Sequence, residues 1–281
     1  MPGMSGNWGC YSVRLVSLSD TVATLRAAGC VFAEDEADLL HAAARTPEEL
    51  GEWVRRRVAG DPLEQILGWA EFAGLKICVE PGVFVPRRRT EFLVARAATS
   101  LRPGAVVVDL CCGTGAVGAA LRTLAAIDLY AADIDPAAVA CARRNLDVPV
   151  YQGDLLDALP ADLRGRIDVL VANAPYVPTG AVALMPPEAR LHEPMVALDG
   201  GADGLDYLRR LAATAPDWLA GGGVLCVETS LEQAAAALEI VRAAGFTASI
   251  DHDDDLDGTV LTGRRAEPAP PKIPFGSGKS T

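Results

Sequence analysis

The sequence predicts a doubly wound α/β domain preceded by a small helical domain and a β-hairpin linker. Three observations carry this. "AVVVDL" at 105–110 is a short, continuous, largely β-branched apolar run, the mark of a parallel strand buried on both faces. From there to residue 263, strand and helix patterns alternate. Between residues 17 and 60 the apolar spacing is helical only.

Residues 1–16 have no clear periodicity. The segment 17–28 carries Val22 and Leu25 on one helical face and stops at Gly29, and 34–45 carries Ala37, Leu40 and Ala44. The third helix is the best marked. Thr46 is its N-cap, Pro47 takes the first position and Glu49 completes a capping box; Leu50, Trp53, Val54 and Val58 form one stripe that Gly60 ends. Helices this short are marginal alone, so 1–61 is expected to pack as a bundle. Over 62–88 the pattern changes to two-residue alternation around a glycine, "ILGWAEFAGLKICVEPGVFVP", which predicts a hairpin. A helix follows Glu91. In the main domain, 89–266, strands are predicted near 105–110, 127–133, 148–151, 167–172, 223–228, 245–250 and 259–263. Helices are predicted near 116–125, 136–146, 203–219 and 231–244. The tail, 267–281, is rich in Pro, Gly and Ser and is expected to be disordered.

Half of the 281 residues are hydrophobic and only 5% are aromatic, so the core is built mainly of Ala, Val and Leu. A net charge of −12 disfavours an extended nucleic-acid groove, where phosphate neutralisation supplies most of the affinity. Seven scattered cysteines without a CxxC pair suggest reduced thiols in a cytosol, and three separated histidines make no zinc cluster. No apolar run approaches the ~18 residues of a membrane span. The expectation is a soluble cytoplasmic protein with no metal.

"VVVDLCCGTGAVGAAL" is a strand, a glycine turn and a helix start. Gly113, Gly115 and Gly118 fit the dinucleotide pattern GxGxxG, and Asp133 lies 18 residues past Gly115, so a nicotinamide cofactor satisfies this loop. Asp109 ends the strand, however, and D-x-x-x-G-x-G resembles the loop of class I S-adenosylmethionine methyltransferases. That resemblance implies a Rossmann-like sheet, mostly parallel with an antiparallel last strand. It implies S-adenosyl-L-methionine as cofactor, held by Asp109, Cys111, Gly113, Thr114 and Gly115 around its amino-acid part. Asp133 would take the ribose hydroxyls, and Asp154 and Leu155 would flank adenine. Asp135–Pro136 reads more simply as an N-cap and first-turn proline.

"VLVANAPYVP" ends a buried run on Asn173 and continues into Ala174, Pro175 and Tyr176. In amino-group methyltransferases a motif of the form [D/N/S]-P-P-[Y/F/W] stands here. A planar NH2 is a weak nucleophile, and two acceptors, the Asn173 side-chain oxygen and the 174 carbonyl, would aim its nitrogen. Pro175 would fix the turn and Tyr176 would offer a flat face, so most of the rate would come from placement.

Over roughly 18–265 the chain is similar to the HemK/PrmC family, the protein-(glutamine-N5) methyltransferases of peptide-chain release factors. "PLEQILGWAEFAGLKICVEPGVFVPRRRTEFLV" and "MPPEARLHEPMVALDGGADGLDYLRRL" carry the likeness. The family implies a release factor as partner and, as acceptor, the glutamine of its Gly-Gly-Gln loop. That glutamine would be held by Asn173 through Tyr176, with Arg87, Thr90 and Glu91 at the site mouth and the N-terminal bundle docking the partner. Three positions depart from the family: Ala174 replaces its first proline, Arg88 replaces the second proline of Pro-Arg-Pro-x-Thr-Glu, and Cys111 replaces its first loop glycine. The acceptor alternatives are another amide or an exocyclic amine of a nucleic acid or small molecule; a non-catalytic release-factor binder also fits.

Two further motifs carry no chemistry. "DHDDDLDGTV" lacks the Glu that an EF-hand loop needs at its twelfth position, where Arg264 stands, and reads as a turn between the last two strands. The terminal "GSGKST" has Ile273 where a P-loop begins with glycine. "VRRRV" (54–58) reads as a solvated helix face and "RRR" (87–89) as an entrance loop.

Overall fold

A computed structural model describes residues 17–267. The tail after Glu267 and the first sixteen residues lie outside the described residues.

Among the described residues, four helices come first: α1 (Leu18–Ala27), α2 (Ala33–Ala43), α3 (Pro47–Val58) and the short α4 (Leu63–Leu67). Ser17 accepts from Asp20 N–H and Thr46 from Glu49 N–H, so the first and third helices start on side-chain caps. Glu49 bonds to the Arg45 N–H at 2.7 Å rather than to that of Thr46 itself, which makes the expected capping box one residue wider. Leu25, Ala37, Leu40, Leu50, Val54 and Ile66 form the bundle core. Thr21, not Val22, is fully enclosed on α1, because its hydroxyl bonds to His41. The "VRRRV" face is not uniformly solvated either: Arg57, only 12% exposed, pairs with Glu36 and reaches Glu188.

The hairpin pairs β1 (Trp69–Phe72) with β2 (Leu75–Cys78) through Ala73 and Gly74, both at positive φ, the primed turn that suits strand twist. Helix α5 (Glu91–Ala98) leads to the sheet. Its strands are β3 (Val106–Leu110), β4 (Asp128–Asp133), β5 (Val150–Gln152), β6 (Ile167–Ala172), β7 (Leu219–Thr229), β8 (Thr247–Asp253) and β9 (Gly258–Arg264). The spatial order is β5-β4-β3-β6-β7-β9-β8, and only β9 runs against the others. The connecting helices are α6 (Ala116–Leu124), α7 (Pro136–Asn145), α8 (Thr179–Val182), α9 (Pro187–His192), α10 (Asp206–Trp218) and α11 (Ala234–Ala243). Sequence reading does not show α4, α8 and α9, because four to six residues are too few to display a helical period.

Every residue of β3 is buried, and successive ones face opposite layers. Val106, Val108 and Leu110 pack with α10 and α11, whereas Val107 packs with α5, α6 and α7. The chain leaves β3 toward β4 and β5, then returns to its other side at β6. The crevice between the carboxyl ends of β3 and β6 is therefore the switch point where ligands of such sheets gather. Asp253 accepts from the N–H groups of Asp255 and Leu256 and so closes the β8–β9 turn.

The bundle is tied to the chain that follows the crevice. Arg57 Nη1 meets Glu188 at 3.2 Å, and Gln65 Nε2 reaches the His192 carbonyl at 3.5 Å. Arg57→Ala leaves Glu36 as a buried carboxylate without its partner and should lower stability by about 3–5 kcal/mol in urea unfolding; Glu36→Gln with Arg57→Met should regain most of it.

Candidate active site

The carboxyl ends of β3, β4 and β6, the loop after β5 and the segment 194–198 line one cavity. Asp109 stands one residue before the end of β3 and Asp133 ends β4, and each closes onto the glycine loop. Asp109 Oδ2 accepts from Gly118 N–H at 2.9 Å, and Asp133 Oδ2 accepts from Gly113 N–H at 2.8 Å. Asp133 Oδ1 also takes the Asp135 N–H at 2.9 Å, while Asp135 caps α7 ahead of Pro136, as its sequence predicts. Burial pushes Asp109 up to about 7, despite the Gly118 bond and with the Asp133 charge adding to the rise. Burial also raises Asp133.

Gly115 caps α6 at φ 78°, and a Cβ there would lie 2.7 Å from Leu146 Cδ1, so glycine avoids both backbone strain and a shift of Leu146. Cys111 stands at φ 54°, the left-handed region that a glycine would occupy without strain. Thr114 is buried, and its carbonyl accepts from Asn145 Nδ2 at 2.8 Å. Asp154 lines the cavity while its Oδ2 holds Arg210 at 2.5 Å; Leu155 follows at φ 48°.

This loop does not suit a dinucleotide. A pyrophosphate at a helix N-terminus needs free N–H groups. Gly118 N–H is taken by Asp109, Gly113 N–H by Asp133 and Gly115 N–H by the Cys112 carbonyl. Two buried carboxylates would also repel the phosphates. The same acceptors fit a nucleoside that carries an ammonium, a sulfonium and ribose hydroxyls, the groups of S-adenosylmethionine.

Asn173 follows β6 at the cavity wall, and its Nδ2 donates to Thr90 Oγ1 at 3.3 Å, which leaves Oδ1 as its acceptor. Tyr176 O–H donates to Glu228 Oε1 at 3.1 Å. Burial and the adjacent Glu228 charge push the Tyr176 phenol up. Arg89 lies over the Tyr176 ring, 5.8 Å from its centroid. The turn keeps firm ties although Ala174 replaces a proline. Val177 N–H donates to the Leu198 carbonyl, Gly200 N–H to the Val177 carbonyl, and Gln233 Nε2 to the Tyr176 carbonyl at 2.9 Å. Gly200 and Gly204 press against it: a Cβ on Gly200 would lie 2.7 Å from the Pro175 carbonyl, and one on Gly204 2.2 Å from that of Tyr176.

The structure thus gathers Asp109, Cys111, Gly113, Thr114, Asp133, Asp154, Leu155, Thr90 and Asn173 through Tyr176 around one cavity. Gly115 supports it from the helix start. Arg87 and Glu91 are used elsewhere. Arg87 pairs with the buried Glu193 at 2.5 Å, and Glu91 accepts from Ala73 N–H at the hairpin turn. Arg88 is exposed. Sequence reading missed Glu228, Gln233 and Glu193. For Glu228 the signal was present, a carboxylate inside the apolar run "VLCVET".

Residues 74–192 match the family model described as "Methyltransferase small domain". The chain is 38% identical over 209 residues to the release factor glutamine methyltransferase of Geobacter sulfurreducens, covering 71% of this chain and 72% of that one. It is 35% identical over 259 residues to the 4-amino-L-phenylalanine/4-methylamino-L-phenylalanine methyltransferase of Streptomyces pristinaespiralis, covering 88% of each. A methyltransferase from Pyrococcus furiosus shares the fold, with a TM-score of 0.54 at 17% identity over 69% of this chain and 90% of that one.

The close approach at Gly204 has a measurable consequence. Gly204→Ala should lower the thermal midpoint by about 5 °C or more through overpacking at positive φ. Gly180→Ala, with no atom near its added methyl, should leave the midpoint in place.

Proposed function

The chain belongs to the release factor glutamine methyltransferase family, and we propose that it moves a methyl group from S-adenosyl-L-methionine to the side-chain amide nitrogen of the glutamine in a release factor's Gly-Gly-Gln loop. The observation that carries this is the placement of Asn173. Its Nδ2 is spent on Thr90, so its Oδ1 and the neighbouring Ala174 carbonyl are the pair that an incoming NH2 would meet. When bound, the cofactor supplies an electrophilic methyl on a positively charged sulfur.

The remaining work belongs to the protein. Asp109, Cys111, Gly113, Thr114 and Gly115 shape the amino-acid pocket, Asp133 holds ribose, and Asp154 and Leu155 flank adenine. Asn173 and the 174 carbonyl take one N–H each and aim the nitrogen, Pro175 stiffens the turn and Tyr176 walls the planar amide. No fixed base is needed, because the gain comes from holding two reactants in line. The N-terminal bundle docks the release factor. On this reading the enzyme works in the cytoplasm, where free thiols such as those of Cys30, Cys78 and Cys226 persist.

A second reading keeps the chemistry and changes the acceptor to a primary arylamine. Two observations favour it: the relative acting on 4-amino-L-phenylalanine is matched over 88% of both chains, and Phe84, Met185 and Val196 add apolar lining to the cavity. Incubation with labelled cofactor and either purified release factors or free 4-aminophenylalanine separates the two. A one-methyl mass increase on the Gly-Gly-Gln glutamine is expected. Transfer to the arylamine alone would establish the second reading instead.

Cofactor affinity should rise with pH through about 7, the value to which burial brings Asp109. Below it a proton neutralises the carboxylate that faces the cofactor's cation, so binding must release that proton. Calorimetry with S-adenosylhomocysteine should give about tenfold weaker binding at pH 6 than at pH 8; equal affinities would remove Asp109 from this role.

A further inference from the structure

Glu228, on β7, is 2% exposed and lies outside the cofactor loop and the Asn173–Tyr176 turn, yet it meets both that turn and the Arg89 segment. Its Oε1 accepts from Tyr176 O–H at 3.1 Å and lies 3.4 Å from Arg89 Nε. Its Oε2 is enclosed without an aligned hydrogen bond. Burial raises the Glu228 carboxyl above its ordinary range, and Thr90, itself buried, together with Arg89 and Tyr176, pulls against that rise toward the charged form. A buried acceptor without a partner calls for a donor. The Thr90 hydroxyl has one proton to give, and its oxygen already accepts from Asn173 Nδ2.

We propose that Glu228 is a positioning residue: as a carboxylate it accepts a hydrogen bond from the Thr90 O–H, so that Thr90 can only accept from Asn173, and it thereby leaves Asn173 Oδ1 as the group presented to the substrate NH2. An amide can turn over to exchange its oxygen and nitrogen. Turned over, Asn173 would set an NH2 against the substrate NH2, donor against donor. An acceptor-only group at the far end of the relay forbids that orientation. The same carboxylate draws the Tyr176 phenol inward and holds its ring beside the Asn173 turn. Arg89, reaching in from the preceding segment, supplies the positive charge that helps keep Glu228 ionised. Glu228 thus sets the polarity of the amide and the position of the ring without touching substrate.

This inference rests on the proposed transfer to an NH2 group, and its tests separate the two. The wild-type protein is assayed first on the release factor and on 4-aminophenylalanine; transfer to neither sinks the functional reading. Glu228→Gln keeps the shape but brings an NH2 that can donate to Thr90 Oγ1. It should lower kcat by about 100-fold, with KM for the cofactor and the thermal midpoint unchanged. Thr90→Val should match that loss, and Thr90→Ser should stand well above Thr90→Val. The double variant Glu228→Gln/Thr90→Val should be no slower than either single one, because one relay is broken twice.

A readout independent of turnover is the side-chain amide NMR signal of Asn173 in the S-adenosylhomocysteine complex. It should shift in Glu228→Gln and in Thr90→Val, and stay near its wild-type position in Thr90→Ser. An unmoved signal in Glu228→Gln, a kcat within twofold of wild type, or losses that multiply in the double variant would each overturn the proposal.

Discussion

The constraint on which the site depends is the closure of two buried carboxylates onto the loop that leaves β3. Asp109 takes the N–H of Gly118 in the first turn of α6, and Asp133 takes that of Gly113 in the loop before it. Burying them is costly, and the rise of Asp109 to about 7 expresses that cost. The return is selectivity of charge. A loop closed by carboxylates favours a cation over a pyrophosphate, although its glycine spacing alone satisfies either cofactor.

The Asn173 side of the cavity is built differently. The Asn173–Tyr176 turn is held by segments far away in the chain: Leu198 and Gly200 bond to the backbone of Val177 that follows it, Gln233 caps the Tyr176 carbonyl, and Glu228 anchors the phenol. This redundancy explains how the turn tolerates Ala174. A proline there would restrict one backbone angle, whereas the surrounding bonds restrict the whole turn. Gly200 and Gly204 of "DGGADG" are required because their backbone packs directly on that turn.

The helical bundle and the site mouth share structure. Arg57 on α3 meets Glu188 on α9, and Glu193 just beyond α9 holds both the Val85 N–H and Arg87. The segment between the Asn173 turn and α10 is therefore fastened at one end to the bundle and the hairpin exit, while at the other it lines the cavity through Pro194, Val196 and Leu198. A partner that engages the bundle would press on elements that border the cavity beside Asn173.

By itself the sequence determined the alternation of strands and helices, the acids at the strand ends, the glycine loop and the Asn173 motif. Each of these is local: burial on both faces forces an apolar run, a tight turn forces glycine, and a strand end projects its last side chain into the crevice. Tertiary structure alone decided how those groups are used. It drew Arg87 to Glu193 and Glu91 to the hairpin turn, away from the cavity. It set Glu228, fifty-two residues beyond Tyr176, against that phenol. The reason is that a hydrogen-bond partner across a sheet leaves no periodic trace in either segment; only the crossing of β6 beside β7 makes the two neighbours.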